Sequence, residues 1–166
     1  MIEKKIISKV FIFTLAGIII WIILIFTAPV LKSLNNPLNA FIYSIFAPIC
    51  HQNPSRCFYF NGHPLSVCTR CLGIYFGFFM ATVFFPLVNG FKSAKLPKNQ
   101  IFYVFSVPIV MDTFGNLFNL WHTSDWLRFV IGFIWGILLP FYFIVGISEL
   151  FMSRKHFFLK KEQKTK

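Results

Sequence analysis

The chain has 166 residues, of which 57% are hydrophobic, 20% aromatic and only 13% charged, with a formal net charge of +11. A soluble domain is about a quarter charged, and 24 phenylalanines exceed what a soluble surface hides, so composition excludes an ordinary soluble enzyme and points to a membrane protein. The positive charge does not argue for a nucleic-acid partner, because 12 of the 16 basic residues gather at the ends and in one short loop and line no interleaved basic face.

The uncharged runs come first in chain order. Residues 10–31 lie between Lys9 and Lys32 without a charge, and roughly 20 apolar residues cross the hydrocarbon of a bilayer. Similar runs cover 71–91, 100–121, where Asp112 is the one charge, and 129–148, the last giving a span at about 129–149. They predict an all-α integral membrane protein: a four-transmembrane-helix bundle forming one membrane domain over 1–152, with a basic tail at 153–166. The first run is longer than the roughly 7–15 residues of a signal-peptide core, so it reads as a retained span.

Residues 37–49 read differently. The apolar stretch from Leu38 to Ile49 reaches only about 18 Å as a helix, short of a roughly 30 Å core. Its apolar residues share one stripe, Asn36 can cap it and Pro37 suits a first helical position. The expectation is a short amphipathic or re-entrant helix in the loop after the first span.

Charge sets the orientation. With four spans, the N-terminus, the 92–98 loop and the tail carry 3 + 3 + 6 = 12 of the 16 basic residues. The other side carries Lys32, Arg56, Arg70 and Arg128. The basic excess marks the cytoplasm, which places both termini inside, in an inner (plasma) membrane protein, and the cysteine-rich loop outside.

That loop, CHQNPSRCFYFNGHPLSVCTRC from Cys50 to Cys71, holds all four cysteines of the chain. Cys68 and Cys71 form a C-x-x-C at the mouth of the second span, where a helix N-terminus and Arg70 favour thiolate. Thiolates ligate zinc or iron. The metal reading takes Cys50, Cys68 and Cys71 plus one of His51, Cys57 or His63, with His51 preferred; Arg56 and Arg70 would balance thiolate charge or attract an anion. Two other readings stand beside it: structural disulfides in an oxidising compartment, and redox cycling of Cys68 and Cys71. No C-x-x-C-H occurs, so covalent haem is not expected.

Within the spans, Gly73, Gly77 and Ala81 form one small-residue row and Gly132, Gly136 and Pro140 another, suited to close helix packing or to a homo-oligomer. Asp112 shares a face with Asn116 and Asn119, and Arg128 is its expected partner. An ionisable residue in a span marks an ion, proton or substrate site, or a buried clasp. A transporter or scaffold centred on Asp112, with the cysteines as staples, is therefore a further reading. The substrate is not legible.

The pattern C-H-Q-x-P-x-R (Cys50 to Arg56), G-H-P (Gly62 to Pro64) and C-x-R-C-x-G-I-Y-x-G (Cys68 to Gly77), followed by Asp112, Asn119, Arg128, Gly132 and Gly136, resembles a domain-of-unknown-function family of small prokaryotic polytopic membrane proteins. The resemblance implies membrane location and supplies no activity. It also implies Ser at Cys57 in many members, which fits three cysteines and a histidine better than paired disulfides. The architecture, four spans with an exofacial C-x-x-C, is similar to quinone-linked disulfide-forming enzymes, although the second exofacial loop here, around His122 to Asp125, has no cysteine.

Overall fold

A computed structural model describes residues 2–89, 99–118 and 120–164. It is helical almost throughout: α1 (Ile2–Ser33), α2 (Leu38–Phe46), α3 (Thr69–Asn89), α4 (Asn99–Leu117) and α5 (Asp125–Lys164). Between α2 and α3 lie a short 3-10 turn, Pro54–Arg56, and two antiparallel two-residue strands, β1 (Tyr59–Phe60) and β2 (His63–Pro64). These are the departure from a purely helical chain. Asn61 and Gly62 link the strands at φ 50° and 76°, the left-handed pair that a tight hairpin demands and that Asn-Gly supplies at least cost.

Among the described residues, three helices are long and apolar enough to cross a membrane: Lys4–Ser33, Thr69–Leu87 and Asp125–Ser153, with mean hydropathies of 2.8, 1.5 and 2.3. The fourth expected span, 100–121, corresponds to α4, which has 19 residues and is not one of these three. Ser106, Asp112, Thr113 and Asn116 dilute its apolar character. The span expected at 129–149 is the middle of a longer helix, and the α5 backbone runs on through most of the basic tail. The 92–98 loop and Asn119 lie outside the described residues.

Glycine fixes the central pair. A Cβ on Gly73 would strike the carbonyl of Phe129, one on Gly77 that of Phe133, one on Gly132 that of Arg70 and one on Gly136 that of Ile74. Four residues along α3 match four along α5, so the two helices run parallel with their backbones in near contact, the approach that small residues permit. Both small-residue rows thus face each other within one chain. The glycines of both rows are thus covered within one chain.

α1 runs antiparallel to α3. Near one end Ile7 and Val10 pack with Phe85 and Ile144; near the other Ile25 and Ala28 pack with Leu72 and the α2 residues Ile42 and Phe46. α4 runs antiparallel to α5: Phe102 lies 5.5 Å from the Tyr142 ring, Trp135 Nε1 donates to Ser106 Oγ at 3.0 Å, and Arg128 Nη2 donates to Asn116 Oδ1 at 2.7 Å. Apolar side chains cover much of the outside, with Phe13 and Leu87 both 79% exposed. Water would not tolerate that surface; lipid does.

α2 starts at Leu38, so Pro37 takes the N-cap place expected for Asn36, one residue later, while the Asn36 side chain still accepts the Leu38 N–H at 3.0 Å. Its stripe divides. Ile42 and Phe46 are buried, whereas Leu38, Phe41, Ile45 and Ile49 are exposed. A short helix with one apolar face on α1 and another turned outward fits the membrane interface.

Candidate functional site

Two chain segments meet at the start of α3. The first is the end of α2, where the Cys50 N–H donates to Phe46 O at 3.0 Å and continues the turn beyond the helix. Gln52 then adopts a left-handed φ of 47° and reverses the chain. Its Nε2 donates to Tyr43 O at 2.7 Å and to Ser66 O at 3.0 Å. The Tyr43 hydroxyl donates to Pro64 O, and Ser66 Oγ donates to Ile25 O at 3.4 Å. Tyr43, Gln52 and Ser66 therefore tie α2, the hairpin and α1 into one frame. Sequence reasoning did not single them out; the Gln52 of the C-H-Q stretch was the available signal.

The second segment is the cap of α3. The Leu72 N–H donates to Cys68 O at 2.9 Å, which opens the helix, and the Cys68 N–H donates to Cys50 Sγ at 3.1 Å. Cys71 follows one turn later. The three sulfurs of Cys50, Cys68 and Cys71 lie within 4.8 Å of one another. None is bridged; Cys50 is buried and the other two are half-buried.

The electrostatics favour one thiolate among them. Hydrogen bonds from the Cys68 and Cys71 thiols, then the Cys68 and Gln52 backbone N–H groups, lower the Cys50 thiol to about 2. Cys68 is raised chiefly because its thiol proton is held by Cys50. Cys57 is a different kind of thiol. It is 4% exposed, its sulfur faces Asn53 O at 3.2 Å, and burial first, then the neighbouring sulfur charges, pushes it up to about 12. A buried, protonated thiol behaves as a small apolar side chain. Neither Cys57 nor the two loop histidines joins the sulfur group. His51 and Arg56 are exposed, and His63 is half-buried in β2.

Beside the sulfurs lies a buried polar set. Asp112 is 4% exposed and pairs with Arg70 Nη2. It also accepts from Asn116 Nδ2 at 2.9 Å and from the Thr123 hydroxyl. Arg70 Nη1 donates to Thr113 Oγ1 at 3.0 Å. The expected partner, Arg128, reaches Asp112 only through Asn116 and lies 3.7 Å from Asp125. Geometry explains the exchange: Arg70 projects from the first turn of α3 toward α4, while Arg128 is engaged within the first turn of α5. Arg70 immediately precedes Cys71, so the ion pair anchors the helix start that carries the sulfurs. Thr113 and Thr123 are further members that sequence reasoning missed.

The profile of the family described as "Predicted membrane protein (DUF2085)" matches residues 50–142. An uncharacterized protein of Methanocaldococcus jannaschii is 30% identical over 153 residues, covering 89% of this chain and 98% of that protein. An uncharacterized protein of Methanothermobacter thermautotrophicus is 32% identical over 114 residues, covering 69% of this chain and 94% of that one. No solved structure matches.

Proposed function

The chain belongs to the DUF2085 family of predicted membrane proteins, and from that premise we propose that it is a multi-pass membrane protein whose Cys50, Cys68 and Cys71 bind a soft metal ion, zinc or iron, at the outer face of the inner membrane. The observation that carries this reading is the convergence of three unbridged sulfurs, within 4.8 Å, from two separate chain segments. Zinc–sulfur bonds of about 2.3 Å require tetrahedral sulfurs about 3.8 Å apart. Three sulfurs all within 4.8 Å of one another are compatible with that spacing. Water or His51, exposed beside Cys50, takes the fourth position. One sulfur is already biased to thiolate, and a metal displaces the protons of the others.

In this reading α4 is the fourth crossing. Support comes from α3 and α5 running parallel: the chain leaving the far end of α3 has to return across the bilayer to begin α5 on the side where α3 began. Residues 1–152 then form one membrane unit, and the basic excess holds both termini in the cytoplasm. Epitope tags at either terminus are therefore expected to stay protected in intact cells and to become accessible on permeabilisation; a tag accessible without permeabilisation reverses the orientation.

Purified protein is expected to carry about one equivalent of zinc or iron, as a single three-cysteine site dictates. Cys68→Ser and Cys50→Ser should lose it, while Cys57→Ser keeps it. A folded, metal-free wild type ends the metal reading. The alternative it would leave is thiol–disulfide exchange, favoured by the free Cys68-x-x-Cys71 pair beside a thiolate. Thiol trapping in cells separates the two, because only the redox reading has Cys68 and Cys71 changing state.

A further inference from the structure

α1 packs on its neighbours at two places. Ile7 and Val10 meet Phe85 and Ile144 near one end, and Ile25 and Ala28 meet Leu72 near the other. Between them α1 and the α3–α5 pair leave a groove of about 860 Å³. Gly17 forms part of its floor, where a Cβ would meet nothing within 4 Å. Phe13, Phe143 and Phe151 line it and are all exposed, so it opens sideways onto the surface that lipid covers.

The groove has a closed end and a charged end. It closes at Trp21 and Tyr75, whose rings lie 6.0 Å apart. The indole N–H is engaged by the Tyr75 hydroxyl, so no free indole donor waits there for a polar head. From that pair the walls run back along α1 to Val10 and along α5 from Leu139 to Phe151. The path from Trp21 to Val10 measures about 16 Å at 1.5 Å per residue, close to half of a roughly 30 Å hydrocarbon core. The groove thus has the depth of one leaflet, on the side away from the sulfurs. Basic residues stand where that depth ends. Lys9 is exposed and precedes Val10. The α5 stripe of Leu139, Phe143, Ile147 and Phe151 reaches Arg154 and Lys155 at its next turn. Glu3 and Glu149 are the acids of this end, against Lys4, Lys5, Lys9, Arg154 and Lys155, which leaves 5 − 2 = 3 positive charges in excess.

We propose that the groove binds an acyl chain of an anionic phospholipid, with the tail running from Phe151 toward Trp21 and the headgroup at Lys9, Arg154 and Lys155. Depth and wall chemistry name the tail: an apolar chain one leaflet long fills the groove and leaves its polar head at the interface. Charge names the head. A zwitterionic headgroup gains nothing net from the basic excess, whereas an anionic one is attracted by each basic residue near the surface. In the proposed orientation this mouth faces the cytoplasmic leaflet, where anionic lipids gather. None of these residues is a proposed metal ligand, so the lipid site stands or falls apart from the metal reading.

The test reads Trp21 emission, as the difference between wild type and Trp21→Phe, for the full chain in phosphatidylcholine nanodiscs. Brominated-acyl phosphatidylglycerol or brominated-acyl phosphatidylcholine replaces the host lipid in steps. The phosphatidylglycerol should reach half of its Trp21 quenching at a mole fraction at least about fivefold lower, the preference that one basic residue near the surface confers. Lys9→Gln, Arg154→Gln and Lys155→Gln together should abolish the preference and leave quenching by the tail. Gly17→Leu fills the open floor and should weaken quenching by both lipids without lowering the melting temperature. Equal mole fractions for the two lipids in wild type overturn the proposal, because the groove then takes any tail. So does a preference that survives the triple variant, quenching indifferent to Gly17→Leu, or a Trp21 that neither lipid quenches.

Discussion

Asp112 shows how one residue can read as a transport site and be held as a clasp. Its carboxylate is met by Arg70, Asn116 and Thr123. Deleting one partner of a buried ion pair leaves the other charge uncompensated, typically at about 3–5 kcal/mol. Asp112→Ala is therefore expected to lose about 3 kcal/mol of stability in detergent, toward the low end because the Arg70 side chain is 21% exposed. The double variant Arg70→Met with Asp112→Leu should regain most of it. Thermal unfolding measures both, and an Asp112→Ala chain as stable as wild type would refute the clasp. That Asp112 is buried and paired was legible from an acid in an apolar run. The identity of the partner was not, because Arg70 and Asp112 are 42 positions apart and Arg128, nearer in sequence, was equally plausible chemically. At the cysteines, spacing and a helix mouth pointed to Cys50, Cys68 and Cys71; what held them together, the Gln52 turn, depends on a left-handed backbone that no side-chain pattern announces.

At the scale of elements, hydropathy runs located the long helices well because a bilayer demands length and little else. Helix ends were less legible: α5 extends far beyond its apolar part, since the Glu- and Lys-rich residues that follow are good helix formers. The hairpin at Asn61-Gly62 was written in the chain but eclipsed by the cysteines around it. The small-residue rows were seen, yet periodicity could not say which helices they joined. Their partnership makes a sharp prediction. Gly136→Leu places a side chain against the Ile74 backbone, where neither helix can yield without separating, whereas Gly146→Leu enters open space. The first is expected to cost at least about 2 kcal/mol by overpacking and to loosen metal retention by displacing Cys71; the second should do neither. Melting temperature and bound metal, measured on the same preparations, decide it.

For the whole molecule, the class and the clustering of chemistry were legible, and the pairing of the helices was not, because contacts between distant segments leave no mark in the periodicity of either. The parallel course of α3 and α5 has a temporal consequence. Every part of the sulfur frame has been synthesised once the chain reaches the end of α3, but the helix that presses on the first turn of α3, at Arg70 and Gly73, comes from a later stretch. Helices that run the same way cannot insert as a hairpin, so α3 must wait in the membrane for α4 and then α5. During synthesis the three thiols should therefore stay open to alkylation in chains arrested after residue 120 and become shielded in chains released at full length. Pulse alkylation of arrested chains measures this; early shielding would mean that the first half of the protein assembles its own centre, with α5 arriving only as a brace.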